Sequence, residues 1–377
     1  MRKVFIRTFG CQMNSRDSEF VMGLLLEDGF KMAGSPEEAN VIIFNSCSVR
    51  KHAEDRLFSN IANLKKLKDK KPSLVIGLIG CTAQNYKDKV FKRSPLVDFV
   101  CGPGNEGDIV RIVKDALKNR QPVVAIDKVN TKRPELFPSY RGRSDKANVS
   151  IGEGCNNYCS YCIVPYVRGK ERYRTAGDIL KEVRSLAGRG LKEIMLLGQN
   201  VNSYKSKGPR GKCIGFSELL EKINGVDGIE RITFMTSHPK DASLELFRAM
   251  AKLDKVVKHL HLPLQSGSDR ILKLMNRRYT RGKYLKLIES YRKIVPGGTL
   301  STDIIVGFPT ESDKDFLDTV DALNMVKFNG AFMFKYSPRP QALASLMKDD
   351  VPTDVKEARL KKILDLQRDI SAMKKRR

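Results

Sequence analysis

"ANVSIGEGCNNYCSYC" occupies residues 147–162. Its first half, 147–154, reads as a strand. Its second half puts Cys155, Cys159 and Cys162 within eight positions, with gaps of three residues and then two. Similar runs recur at "EIMLLGQN" (193–200), "RITFMTSH" (231–238), "HLHLPLQS" (259–266), "STDIIVGFP" (301–309) and "AFMFKYSP" (331–338). Helical stretches such as 177–188 and 312–325 fill the gaps, and 354–374, rich in Lys, Arg and Leu, reads as a closing helix. Six such units predict a partial (β/α)6 barrel with its site on the carboxyl-end rim of the strands.

The first hundred residues carry a second pattern. "KVFIRTFGC" (3–11), "NVIIFNSC" (40–47) and "SLVIGLIGC" (73–81) are apolar runs that each end in a cysteine. Helix-like stretches at 17–30 and 53–68 separate them. Strands alternating with helices predict a doubly wound parallel sheet, an α/β domain whose ligands gather at the carboxyl ends of its strands. Cys11, Cys47 and Cys81 are therefore expected at one edge despite separations of 36 and 34 residues. A fourth run, "LVDFVC" (96–101), ends in Cys101, and strand logic alone leaves it free to join them. A helix over 105–120 closes the domain. The polar, proline-containing stretch that follows reads as a linker, giving a domain at 1–120, a linker at 121–140 and a second domain at 141–372.

Bulk properties narrow the chemistry. The chain has 377 residues, with no apolar run of membrane-spanning length and no signal-peptide pattern at "MRKVFIRTFGCQMN". A cytoplasmic location is expected, where eight cysteines point to metal binding or catalysis before disulfides. Lys and Arg number 69 against 43 acids, a net charge of +26. Local peaks such as "LKKLKDKK" (64–71) and "MKKRR" (373–377) also suit solvated surfaces. The total suits a polyanionic partner.

Structural zinc sites usually pair a CxxC with a distant second pair, and no matching pair follows Cys162. A disulfide would leave one thiol over. Iron–sulfur clusters are held by thiolates, commonly four, so three leave one iron open to a small molecule. CxxxCxxC at the end of a first barrel strand resembles the radical S-adenosylmethionine (SAM) enzymes. Gly152 and Gly154 allow close backbone approach there, and Tyr161 resembles the aromatic common between the second and third cysteines. "GQN" (198–200) and "IIVGFPTE" (304–311) stand where that superfamily meets the SAM amino group and adenine.

With both cysteine sets in view, the sequence resembles the radical SAM methylthiotransferase family, in its tRNA-modifying branch. The resemblance is carried by "FGCQMNSRDSE" (9–19), "NSCSVRKHAEDR" (45–56), "GCTAQ" (80–84), "GCNNYCSYCIVPYVRG" (154–169), "LLGQNVNSY" (196–204), "TSHPKD" (236–241), "LHLPLQSGSDRILKLMNR" (260–277), "DIIVGFPTES" (303–312) and "YSPRP" (336–340). It implies a [4Fe-4S] cluster on Cys155, Cys159 and Cys162 that also takes SAM. It implies an auxiliary [4Fe-4S] cluster on Cys11, Cys47 and Cys81, with no place for Cys101 or Cys213. The implied activity is methylthiolation of N6-dimethylallyladenosine beside the anticodon of tRNA, using two SAM molecules. Sister branches act on threonylcarbamoyl-adenosine tRNA or on a ribosomal protein. A two-cluster electron-transfer or RNA-binding protein without catalysis is the alternative from another class. Its irons would be fully ligated, and it would not cleave SAM.

The implied partners are tRNA, an electron donor such as flavodoxin or ferredoxin and a sulfur or cluster donor. No membrane is involved, and the protein is expected to be a monomer. Two features depart from the family pattern. The small β-rich RNA-binding TRAM module that usually follows the closing helix is expected to be absent, and "QALAS" (341–345) follows "YSPRP" where Gly-Thr-Pro-Ala is usual. No acid–base residue beyond the cluster ligands is required. His238 and His261 suit hydrogen-bonded rim or core positions. Arg168 and Arg172 suit SAM, RNA phosphate or surface pairing equally. Phe332 and Phe334 suit a wall for the dimethylallyl tail, or the barrel core.

Overall fold

The structure, a computed structural model, describes residues 1–49, 51–119, 121–127, 138–142, 145–208 and 211–375. It divides into two compact units, Met1–Gly154 with Ile163–Glu171, and Cys155–Cys162 with Arg172–Arg377. The loop Cys155–Cys162 belongs whole to the second unit, and the segments on either side of it to the first.

The first unit is built on six parallel strands: β1 (Lys3–Phe9), β2 (Lys31–Met32), β3 (Val41–Ser46), β4 (Val75–Ile79), β5 (Phe99–Cys101) and β6 (Val123–Ala125). Their order is β2-β1-β3-β4-β5-β6. Helices α1 (Gln12–Glu27), α2 (Lys51–Ala62), α3 (Lys65–Lys70), α4 (Cys81–Tyr86), α5 (Lys89–Arg93) and α6 (Ile109–Asn119) connect them. Strand β3 is buried at every position because both faces are covered. Val41 and Ile43 pack with Val21, Leu25 of α1 and Ile112 of α6. Ile42 and Phe44 pack with Leu57 and Ile61 of α2. Alternation of successive side chains between two apolar layers explains why this strand reads as a continuous hydrophobic run.

The chain leaves β1 toward β2 and returns to lay β3 on the other side of β1. That reversal opens a crevice at the carboxyl ends of β1 and β3, the usual ligand position in such sheets. Past residue 120 the sheet continues, since Val123–Ala125 pairs with β5 as an edge strand. Of the linker expected at 121–140, residues 128–137 lie outside the described residues.

In the second unit, strand Glu193–Leu197 pairs in parallel with Arg231–Phe234. Strand His259–His261 pairs with Thr299–Val306, which pairs with Gly330–Lys335, all in parallel. An isolated bridge, Ile232↔Val256, marks the step between the two sets. The intervening helices include Ala176–Gly188, Leu244–Lys252, Arg281–Ile294 and Asp313–Val326, and Thr353–Lys375 closes the unit. This is the strand–helix alternation expected of a partial barrel. Among the described residues no helix is long and apolar enough to cross a membrane.

Candidate functional site

Cys11 and Cys81 lie two residues beyond β1 and β4, and Cys47 lies one residue beyond β3. Glycines make the tight exits possible. Gly80 has φ +84°, and a Cβ there would stand 2.3 Å from Asn45 Oδ1; one on Gly10 would stand 2.6 Å from the Cys47 Cβ. Asn14, on the first turn of α1, accepts from the Cys11 backbone N–H at 3.4 Å and from its thiol at 3.3 Å. Its amide donates to Asn45 Oδ1 at 2.9 Å, while Asn45 Nδ2 donates to the Asn14 carbonyl and to Ser18 Oγ at 2.9 and 3.0 Å. This buried network ties the start of α1 to the end of β3, and so holds the Cys11 and Cys47 loops in fixed relation.

Cys47 hydrogen-bonds to the Cys11 sulfur and lowers its pKa to about 6; burial opposes this, and Arg168 reinforces it. The same hydrogen bond pushes the Cys47 thiol well up, with burial adding to it. Burial pushes the Cys81 thiol up, against the nearby Arg168 charge.

Arg168 is 3% exposed. Its Nε donates to Cys81 Sγ at 3.3 Å and its Nη2 to Asp17 Oδ2 at 2.6 Å, with Glu153 Oε1 3.8 Å from Nη1. Burial works against the guanidinium charge, but Asp17, Cys81 and Glu153 hold it in place. The sequence left the role of Arg168 open. Neither its partner Asp17 nor Asn14, which holds the Cys11 loop, carries a signal of its own in the sequence, although both lie in the quoted segment 9–19. Cys101 is different. It is the last residue of β5, pairs in register with Ile79, and is fully buried among Ile109, Ile112 and Val113. Its side chain faces an apolar layer, not the crevice. Cys213 is exposed on strand Cys213–Gly215.

In the second unit the loop Cys155–Cys162 is braced from segment 274–279. Asn276 Nδ2 donates to the carbonyls of Asn157 and Tyr158 at 3.1 and 2.9 Å. Ser160 donates through its backbone to Met275 and through its hydroxyl to Leu274. Arg277, 3% exposed, donates from Nη1 to Cys159 Sγ at 3.3 Å, from Nη2 to the Pro263 carbonyl at 2.8 Å and from Nε to the Tyr279 hydroxyl at 2.9 Å. Burial opposes its charge, and Tyr161, Tyr279 and Cys159 favour it. Each cysteine set thus has one buried guanidinium on one sulfur. Tyr161 packs with Ile271, Met275, Phe308 and Tyr336. The departing "QALAS" loop joins this packing through Ala344, whose N–H donates to the Ser160 carbonyl at 2.7 Å.

Around the strand ends of the second unit, four buried polar atoms have no hydrogen-bond partner among the described residues: Asn200 Oδ1, Ser237 Oγ, His238 Nε2 and Gln265 Oε1. Buried polar atoms in native proteins are normally satisfied, so a group of orphans on one set of strand ends has capacity to hold a polar ligand or ordered water. His238 accepts at Nδ1 from the Lys240 N–H, and burial, aided by Arg277, lowers its pKa to about 2. It is neutral at physiological pH. His261 instead sits between Ser301 Oγ at 2.9 Å and Asp303 Oδ2 at 3.5 Å. Glu311, within "IIVGFPTE", is committed to the Gly307 N–H and to Arg359.

Among the described residues, no three His, Cys, Asp or Glu side chains gather as closely as one mononuclear ion requires. A cluster asks for wider spacing, because its thiolates bind different irons.

Known families match two separate stretches of the chain. Residues 149–323 match the Radical SAM superfamily and residues 3–102 match Uncharacterized protein family UPF0004. A tRNA-2-methylthio-N(6)-dimethylallyladenosine synthase of Caldicellulosiruptor saccharolyticus is 46% identical over 371 residues, 98% of this chain and 78% of that protein. The chain belongs to the tRNA-2-methylthio-N(6)-dimethylallyladenosine synthase family. A synthase of that name from Thermodesulfovibrio yellowstonii is 44% identical, covering 100% of this chain and 85% of its own length. Outside the synthase family, the fold is shared with a radical S-adenosylmethionine methyltransferase from Kitasatospora setae with cobalamin and a [4Fe-4S] cluster bound. That match has TM-score 0.62, 12% identity, and covers 92% of this chain and 77% of that one.

Proposed function

We propose that this chain methylthiolates C2 of N6-dimethylallyladenosine beside the anticodon of tRNA, by radical SAM chemistry. The observation that carries the reading is 44–46% identity, over nearly the whole chain, to synthases named for that reaction. Cys11, Cys47 and Cys81 would hold an auxiliary [4Fe-4S] cluster; Cys155, Cys159 and Cys162 would hold a second, which also takes SAM. The residues present suit these groups. Each set offers three thiols from loops fixed by buried hydrogen bonds, and each has a buried guanidinium that offsets thiolate charge. The orphaned atoms of Asn200, Ser237, His238 and Gln265 suit the polar ends of SAM.

Bound there, two [4Fe-4S] clusters and two SAM molecules would supply the one-electron chemistry that an unactivated adenine C2–H bond requires, and the methylated sulfur that replaces its hydrogen. The chain's own residues hold and shield. Asn14 and Asn45 fix the Cys11 and Cys47 loops, Arg168 steadies the Cys81 sulfur, and Asn276 and Arg277 fix the Cys155–Cys162 loop. No side chain need act as a general acid or base at C2. The net charge of +26 supports tRNA as partner. An electron donor such as flavodoxin or ferredoxin, a sulfur or cluster donor, a cytoplasmic location and a monomeric state complete the reading.

Nucleoside mass spectrometry of tRNA, after anaerobic reaction with reconstituted protein, SAM and a reductant, tests it. The 2-methylthio-N6-dimethylallyl nucleoside is expected, with tRNA affinity falling steeply as salt rises. A methylthio product on threonylcarbamoyl-adenosine alone, or on a ribosomal protein with no tRNA product, would overturn the substrate assignment.

A further inference from the structure

On strands Thr299–Val306 and Gly330–Lys335 one face is filled, and the other is open at Phe332 and Phe334, while His261 and Ser301 on the same side are buried. Leu260, Thr302, Ile304, Val306 and Met333 are buried. On the opposite face, set by strand alternation, lie His261, Ser301, Asp303, Ile305, Phe332 and Phe334. Register pairs Asp303 with Phe332 and Ile305 with Phe334. Phe332 is 48% and Phe334 40% exposed. Two aromatic rings left this open on neighbouring same-face positions are unusual in a packed strand, and mark a place where an apolar group docks. The His261 ring meets Phe332 edge-on, with centroids 5.9 Å apart, and is itself paired to Ser301 and Asp303.

The face is tied to the cysteine loop of the same unit. Tyr336 follows Phe334 by two residues, about 7 Å along a strand. Its backbone N–H still bonds to the Val306 carbonyl, and its ring packs in the cluster that includes Tyr161. An adenine placed near that loop could therefore lay its N6 substituent across Phe334 and Phe332.

We propose that Phe332 and Phe334, with Ile305, form the seat for the dimethylallyl group, and that Asp303 bars substituents ending in a carboxylate. The inference rests on the substrate reading above. The chemistry distinguishes the two modified adenosines in question. A dimethylallyl group is apolar and uncharged, and gains from leaving water against two aromatic rings. A threonylcarbamoyl group ends in a carboxylate, which would meet the Asp303 carboxylate beside Phe332 and be repelled.

The test compares kcat/KM on tRNA carrying N6-dimethylallyladenosine with that on the same tRNA carrying unmodified adenosine. Deoxyadenosine formation without tRNA is measured in parallel. For Phe332→Ala/Phe334→Ala the preference for the dimethylallyl substrate should fall about tenfold or more, the range expected for losing an apolar pocket wall. SAM cleavage without tRNA should be unchanged, and Phe332→Leu/Phe334→Leu should restore most of the preference. Asp303→Asn should raise turnover of threonylcarbamoyl-adenosine tRNA relative to wild type. An unchanged preference in the double alanine variant would overturn the seat. Loss of SAM cleavage in that variant would equally overturn it, since the face would then be serving the cofactor or the fold. No rise with Asp303→Asn would overturn the charge barrier. Wild-type protein that modifies no dimethylallyl tRNA would instead overturn the substrate reading, and this inference with it.

Discussion

Replacing Arg168 by methionine removes one charge from a site where another is fully enclosed. Asp17 is 0% exposed and Arg168 3%, and their hydrogen bond spans 2.6 Å. Breaking a buried ion pair by deleting one partner costs about 3–5 kcal/mol, because the remaining charge is stranded. Arg16, with Nη1 3.6 Å from Asp17 Oδ1, retains some compensation, so about 3 kcal/mol is expected for Arg168→Met. Asp17→Asn strands Arg168 less severely, since Glu153 stands 3.8 Å away and Cys81 accepts from Nε. The double variant should then be less destabilised than the sum of the singles by about 2 kcal/mol, within the range for residues in one network. The chain has no tryptophan and two compact units, so a single whole-protein denaturation curve is a poor measure. Hydrogen exchange read by mass spectrometry on peptides covering β3 and α1 reports the first unit directly. Additive effects, or unchanged protection in Arg168→Met, would refute the view that this pair is a coupled buried charge network.

Gly80→Ala should cost the protein the cluster proposed on Cys11, Cys47 and Cys81, because its Cβ would stand 2.3 Å from Asn45 Oδ1 at a φ of +84°; an iron assay should show about four fewer irons per chain. Cys101→Ser and Cys213→Ser should both keep the full iron content, while Cys101→Ser alone lowers stability by about 1–3 kcal/mol through a buried hydroxyl in an apolar layer. His238, lowered from 6.5 to about 2, contributes stability that is fully present above pH 6.5 and is lost as pH falls toward its folded value; His238→Gln should flatten the decline in hydrogen-exchange protection of peptides covering 231–252 between pH 6 and 4, after correction for intrinsic exchange, and an unchanged slope would count against burial as the cause.

Much of this protein is written in local pattern. Apolar strands that each end in a cysteine, and a strand that runs into CxxxCxxC, are short-range signals. They place Cys11, Cys47, Cys81, Cys155, Cys159 and Cys162 on strand ends without knowledge of any distant contact. The excess of basic residues is equally plain from composition. Cys101 shows where that kind of reading stops. Strand logic alone leaves it free to join the other three, yet it is the last residue of β5 itself, and side-chain parity turns it into the apolar layer with Ile109 and Ile112. One or two residues of offset at a strand end decide between ligand position and core, and strand ends are poorly marked in sequence. The residues that steady the sulfurs were beyond reach for another reason. Arg168 meets Asp17 across 151 residues and Arg277 meets Cys159 across 118. An arginine in sequence carries no sign of which carboxylate or thiol it will meet, whereas burial in the folded chain leaves it no alternative partner. The open face bearing Phe332 and Phe334 is likewise a tertiary fact. Alternation put both rings on one side of a strand, but only the packing of its neighbours decided that this side stayed uncovered.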